Sequence, residues 1–328
     1  VWVTNGVYET GGRPALGYAL TNRVCVEGKV LSIRSVEGPS QTVIVGRWHS
    51  PEVPEGAAAV RGAWLEEGAS LMGFTVTNGA TRSADYSERE EYFGGGIFAR
   101  SGVMISNCWV RGCRADSDGG GGYGGVWKDS EIASCWSYLG GGIAAADLSG
   151  CRISGNAAEL EGGGASSCTA SNCLFVGNRV VAGEGGGASY SDMTDCTVTS
   201  NSATDGGGTY GGMSTRCTFK ANVASYGGGA EEANLAGCAF EENLADYGGG
   251  TYSCYQQACS FIGNTANLNG GGACLGQFLS CLFAGNAAPS GDGGGFAVGS
   301  VNDWLEDCVL VDNAAGRNGG GCYGGFLY

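Results

Sequence analysis

The chain has little proline, little positive charge and no long apolar run. With 5 prolines among 328 residues and no glycine at every third position, it cannot form a collagen-like rod. Only 17 basic residues stand against 32 acidic ones, for a net charge of −15. That deficit removes the basic face on which a nucleic-acid binder depends and fits solubility and cation binding instead. No stretch reaches the ~20 apolar residues of a membrane span. A single histidine, His49, lies in a loop-like Arg47–Pro51 segment and reads as a surface residue. No Ser-His-Asp triad or histidine metal cluster can be built around it. Hydrophobic residues make up 43% of the chain, and their periodic placement excludes a disordered linker.

Glycine and cysteine are what the chain has in quantity, with 65 and 16 residues. A triple glycine recurs eleven times, its third glycine at positions 96, 121, 142, 164, 187, 208, 229, 250, 272, 295 and 321. The intervals run from 21 to 26 residues. Such a period means stacked units, each burying its apolar face on the next. A cysteine column stays in register with it: Cys108, Cys135, Cys151, Cys173, Cys196, Cys217, Cys238, Cys259, Cys281 and Cys308. Two residues after most of these comes an apolar side chain, and three further on an asparagine. Five units read F-x-x-N, ending at Asn178, Asn222, Asn243, Asn264 and Asn286.

A spacing of two is strand spacing, which puts cysteine and phenylalanine on one face. Helical spacings of three and four are nowhere sustained, and glycine runs would destabilise a helix by about 1 kcal/mol per residue. Each unit therefore predicts a coil of two or three short strands, hydrogen-bonded to the coils before and after it. The asparagine is expected at a corner, in the left-handed conformation, with its amide bonded to the same amide one coil away. The glycines are expected where the chain bends in a narrow interior, with the small residue after them packed against the phenylalanines.

This pattern resembles the right-handed parallel β-helix superfamily that includes pectate lyases. It is most similar to the repeats of polymorphic outer-membrane autotransporters, which carry G-G-A-[ILV] and F-x-x-N. The matching residues are Gly95-Gly96-Ile97, Gly141-Gly142-Ile143 and the five F-x-x-N units. Most other units read G-G-G-A or G-G-G-T, and no C-terminal membrane barrel follows. The resemblance implies an all-β, single-domain right-handed parallel β-helix of ~21–23-residue coils. One domain over 1–328 is expected: opening coils at 1–80, a loop insertion at 81–93, and regular coils over 94–328. The chain starts in a strand-like segment, not with methionine, and is expected to be a mature or excised piece of a longer precursor.

Equivalent residues on stacked strands lie ~4.8 Å apart with parallel side chains, whereas a disulfide needs Cβ atoms nearer ~3.8 Å and inclined together. Cys196, Cys217, Cys238, Cys259 and Cys281, with the rest of the column, are thus expected as a ladder of buried free thiols. Among the off-column cysteines, Cys168 with Cys173 or Cys254 with Cys259 could bridge within one coil. Asn178, Asn222, Asn243, Asn264 and Asn286 are the matching structural amides.

Two columns flank the glycines. The second position after them holds Tyr123, Tyr210, Glu231, Tyr252 and Tyr323; the position before them holds Tyr226 and Tyr247 among carboxylates. Both columns are read as exterior, the second position after the glycines by strand alternation. Aromatics beside carboxylates suit sugar rings or a protein partner, so these seven residues are the candidate binding site. The expected role is a secreted or cell-surface structural rod, adhesive or filament-forming and non-catalytic, without a cofactor. It would display its columns multivalently to surface glycans, host proteins or further copies of itself end to end. The alternative is a carbohydrate-active β-helix, a lyase or hydrolase with its site near the charged insertion from Thr81 to Glu91, or a glycan-binding module. No catalytic residue aligns with a family motif. Structural calcium on the acidic residues before the glycines is a further expectation.

Overall fold

The computed structural model describes residues 1–83, 89–299, 302–324 and 326–327. The chain forms two compact units, Val1–Glu159 with Gly163–Thr169, and Leu160–Gly162 with Ala170–Tyr328. In both, short strands pair in parallel with strands one coil away, and the one helical element described is the 3₁₀ turn Arg89–Glu91. Each unit is a parallel β-helix, the class expected from the repeat.

The first unit stacks three columns of strands. One runs through Thr21–Val26, Val60–Leu65, Ile97–Ala99 and Gly122–Tyr123. A second runs through Leu31–Ser35, Ala69–Met72, Met104–Ser106 and Val126–Lys128. The third aligns Ile44, Val76, Val110, Ile132 and Ile153 rung by rung. All five are buried, because the period-two alternation turns β-branched side chains inward while their neighbours face water.

The second unit repeats the plan with larger side chains. Phe219, Phe240, Phe261 and Phe283 occupy successive rungs. Their rings stack with centroids 4.9, 5.0 and 4.5 Å apart, spacings imposed by the strand separation itself. Each contributes roughly 2 kcal/mol or more by burial.

Asparagines close the corner beside them. Asn243 Nδ2 donates to the Phe219 carbonyl at 2.9 Å and to Asn264 Oδ1 at 2.9 Å. Its Oδ1 accepts from the Asn222 backbone N–H at 2.9 Å and from Asn222 Nδ2 at 3.0 Å. Two donors and two acceptors exhaust the amide. The left-handed residue is not the asparagine but the one before it: Ser200, Ala221 and Glu242 have φ of 56°, 52° and 55°. The asparagine stays at the corner for its four hydrogen bonds, and its backbone tolerance is not used.

The first and third glycines have separate causes. The first bends the chain, as Gly227 does at φ 59°. The third gives way to the phenylalanine: a Cβ on Gly229 would lie 2.6 Å from the Phe240 ring and 2.7 Å from the Gly250 carbonyl oxygen. It is thus the third glycine, more than the small residue following it, that admits the ring.

None of the sixteen cysteines forms a disulfide. In the second unit their sulfurs take part in the backbone network, as where the Cys238 N–H donates to Cys259 Sγ at 3.4 Å.

Candidate functional site

Among the described residues, the first unit ties the ends of the charged insertion down rather than gathering a site around it. Ala84 to Glu88 lie outside the described residues. Glu90 is bonded to Arg100 at 2.8 Å and to the Tyr18 hydroxyl. Glu91 accepts from the Ala19 and Leu20 amides and pairs with Arg82. Fully buried Arg61 donates to the carbonyls of Glu90, Phe93 and Gly94 and to Asn22 Oδ1. Buried polar groups must be paired, and these carboxylates are used to anchor the described ends of the insertion. Tyr123 belongs here too, stacked between Phe93 and Phe98 at 4.6 and 5.6 Å. It belongs to the first unit, and the other six candidates belong to the second. His49 is exposed, its Nδ1 accepting the Ala58 amide at 3.2 Å.

The second unit does assemble a face. Before the glycines, parallel bridges align Glu161, Glu184, Asp205, Tyr226 and Tyr247, and Tyr247 pairs with Asn269. After the glycines, Ser189, Tyr210, Glu231, Tyr252 and Cys274 stand in register. Each glycine turn brings the two columns side by side, so a period of 21–22 residues becomes a row of side chains about 4.8 Å apart.

Four of the candidate tyrosines line one concavity. Tyr226, Tyr247, Tyr252 and Tyr323, with Asn269 and Cys274, border a cavity of about 410 Å³. Tyr226 and Tyr247 stack at 5.4 Å with rings 7° from parallel, and Tyr252 meets Tyr226 edge-on at 5.1 Å. Such rings present flat apolar faces with a polar tip.

Next to this platform the face turns acidic. The Tyr190 hydroxyl donates to Glu184 at 3.0 Å and the Tyr210 hydroxyl to Glu232 at 2.8 Å. Glu231 lies between Tyr210 and Tyr252 in register. It is only 8% exposed, although its column was expected to face outward. Its Oε2 is buried without a hydrogen-bond partner. Burial, then the charges of Asp205 and Glu232, lifts its pKa from the ordinary 4.5 to about 8, with the Gly206 amide acting the other way. At neutral pH the carboxyl is therefore mainly protonated. Asp205 is raised too, first by its own burial and then by Glu184 and Glu232. Burial and the Glu184 hydrogen bond push the Tyr190 phenol up to about 12.

Among the described residues, no group of three or more His, Cys, Asp or Glu side chains converges to hold a metal ion. No helix among the described residues is long and apolar enough to cross a membrane.

No protein-family model and no curated protein matches the chain. Solved structures do. The Agl-KA catalytic domain is similar at 12% identity and a TM-score of 0.42, over 95% of this chain and 59% of that one. A GH87 alpha-1,3-glucanase catalytic domain in complex with nigerose is similar at 11% identity and a TM-score of 0.38, over 99% of this chain and 61% of that one. The Azotobacter vinelandii mannuronan C-5 epimerase AlgE4 A-module is similar at 14% identity and a TM-score of 0.35, over 96% of this chain and 79% of that one. The chain thus spans about 59% of the length of the first of these. All three names denote catalytic domains or an epimerase module. The expectation of a non-catalytic adhesive or filament-forming rod is corrected on that finding.

Sequence reasoning found the two columns and named Glu231 within them, but expected it to face outward rather than to be buried. A glutamate doublet, Glu231-Glu232, between Tyr210 and Tyr252 in the column was the available signal. Nothing in it said which of the two would lose its solvent.

Proposed function

We propose that the second unit is a carbohydrate-active face that binds a polysaccharide along its tyrosine columns and hydrolyses it. The observation that carries this reading is Glu231: buried, protonated at neutral pH, with an unpartnered oxygen beside an aromatic platform. Glycoside hydrolysis uses one carboxyl as proton donor and a second as carboxylate, with pKa values set apart by their surroundings. Glu231 is the donor. Its proton goes to the glycosidic oxygen as the bond from that oxygen to the anomeric carbon breaks. Asp205, whose charge acts on Glu231, is the partner carboxylate that takes the proton of the attacking water. Tyr226, Tyr247 and Tyr252 hold sugar rings by stacking against their C–H faces.

A second reading, a glycan-binding module without turnover, is favoured by the platform alone. The resemblance of the F-x-x-N units to polymorphic outer-membrane repeats supports an extracellular or cell-surface setting for either. Reducing-end release from a panel of polysaccharides separates them. Release by the native chain and not by Glu231→Gln supports the hydrolase; binding without release supports the module.

A further inference from the structure

The ligand's charge can be read from the same site, on the premise that it acts on a glycan. The second unit carries four basic residues, Arg179, Arg216, Lys220 and Arg317, against fifteen acidic ones. Two of the four are already engaged: Arg216 with Asp195 at 2.7 Å, and Lys220 with Glu241 at 3.2 Å and Glu242 at 3.4 Å. Neither belongs to the two columns. The columns themselves hold carboxylates, phenols, amides and small residues, and no cation. A polyuronate would place a carboxylate on every sugar beside Glu184, Asp205 and Glu232. Like charges in a partly desolvated site repel more strongly than in water.

A cationic glycan fails for a different reason. The groups acting on Glu231 are Asp205, Glu232 and Glu184, and Glu231 in turn acts on Tyr252, which also senses Tyr226, Tyr247 and Cys274. Tyr210 is its remaining register neighbour. None of these compensates a carboxylate at Glu231, which is why the acid keeps its proton. An ammonium brought alongside would favour the ionised form and remove the proton that the site stores.

An uncharged sugar does neither. Its oxygen can accept from the protonated Glu231 carboxyl, whose Oε2 has no partner within the protein. Its apolar faces match the stacked pair of Tyr226 and Tyr247. We infer that this face selects an uncharged polysaccharide and discriminates against both polyuronates and amino-sugar polymers.

The test compares three probes with the full chain at pH 6.5: a soluble neutral glucan, polygalacturonate and chitosan oligosaccharide. Binding is measured at low and moderate salt, with reducing-end release followed in parallel. The expected result is glucan binding at least tenfold tighter than polygalacturonate at low salt, and glucan turnover exceeding chitosan turnover. Glu184→Gln should narrow the glucan–polygalacturonate gap at least threefold, because one repelling charge is gone. Preference for polygalacturonate or chitosan overturns the selectivity and leaves the glycan reading standing. No binding of any probe by a chain whose β-sheet spectrum is intact overturns the glycan reading and this inference together.

Discussion

The Tyr210 hydroxyl donates to Oε2 of Glu232 at 2.8 Å, one coil away. Glu231, the adjacent residue, has a buried Oε2 with no such partner. Two consecutive glutamates thus sit in different surroundings. The exposed one accepts a hydrogen bond; the buried one keeps its proton at neutral pH.

The first consequence concerns catalysis. Glu231→Gln retains a similar shape and loses the proton. Turnover of a neutral glucan should fall by at least about a hundredfold, with binding changed less than threefold. Parallel activity and binding measurements check this. Equal loss of both would make Glu231 a binding residue only.

The second concerns stability against pH. The unfolded glutamate titrates near 4.5 and the folded one near 8. Between those values the folded state holds more protons, so stability falls as pH rises. The contribution is whole below about 4.5 and lost as pH passes about 8. Thermal melts from pH 5 to 9 should show this decline. Glu231→Gln should flatten it and gain on the order of 2 kcal/mol at pH 9.

The third concerns the platform. Tyr226→Ala and Tyr247→Ala should each weaken glucan binding about fivefold to tenfold, as loss of one stacked ring costs about 1 kcal/mol. The same substitutions should leave the β-sheet spectrum unchanged, since Tyr226 is 37% exposed. Tyr123→Ala serves as the contrast, because that ring stacks on Phe93 and Phe98 in the other unit.

The fourth concerns the corner amides. Asn243→Ala removes four hydrogen bonds and leaves the Phe219 carbonyl and the Asn222 amides without their partner. A loss of about 2–4 kcal/mol in denaturant unfolding is expected. Asn243→Asp should also destabilise, because it replaces two donors with acceptors.

The fifth concerns the thiols. Denatured protein without reductant should titrate sixteen thiols per chain. Fewer would indicate bridges, first between Cys168 and Cys173 or Cys254 and Cys259.

Much of this molecule was legible in its repeat. A period of 21–23 residues with side chains two apart admits stacked parallel strands and little else, because only that arrangement puts Phe219, Phe240 and Phe261 in one buried row. The columns of Tyr210, Tyr252, Tyr226 and Tyr247 followed from the same register. The left-handed corner residue did not. Alanine and glutamate occupy it at 221 and 242, and neither residue type signals that backbone conformation.

What the sequence determined by itself was which residues share a row, since one-dimensional spacing becomes three-dimensional register wherever coils repeat. What only the tertiary structure decided was the environment within a row. Glu231 and Glu232 have the same chemistry and adjacent positions. Glu231 ends its strand buried, near Asp205, and the left-handed turn at Glu232, φ 50°, leaves the other exposed and bonded to Tyr210. Solvation and neighbouring charge set a carboxyl's proton affinity, and both depend on side chains from other coils.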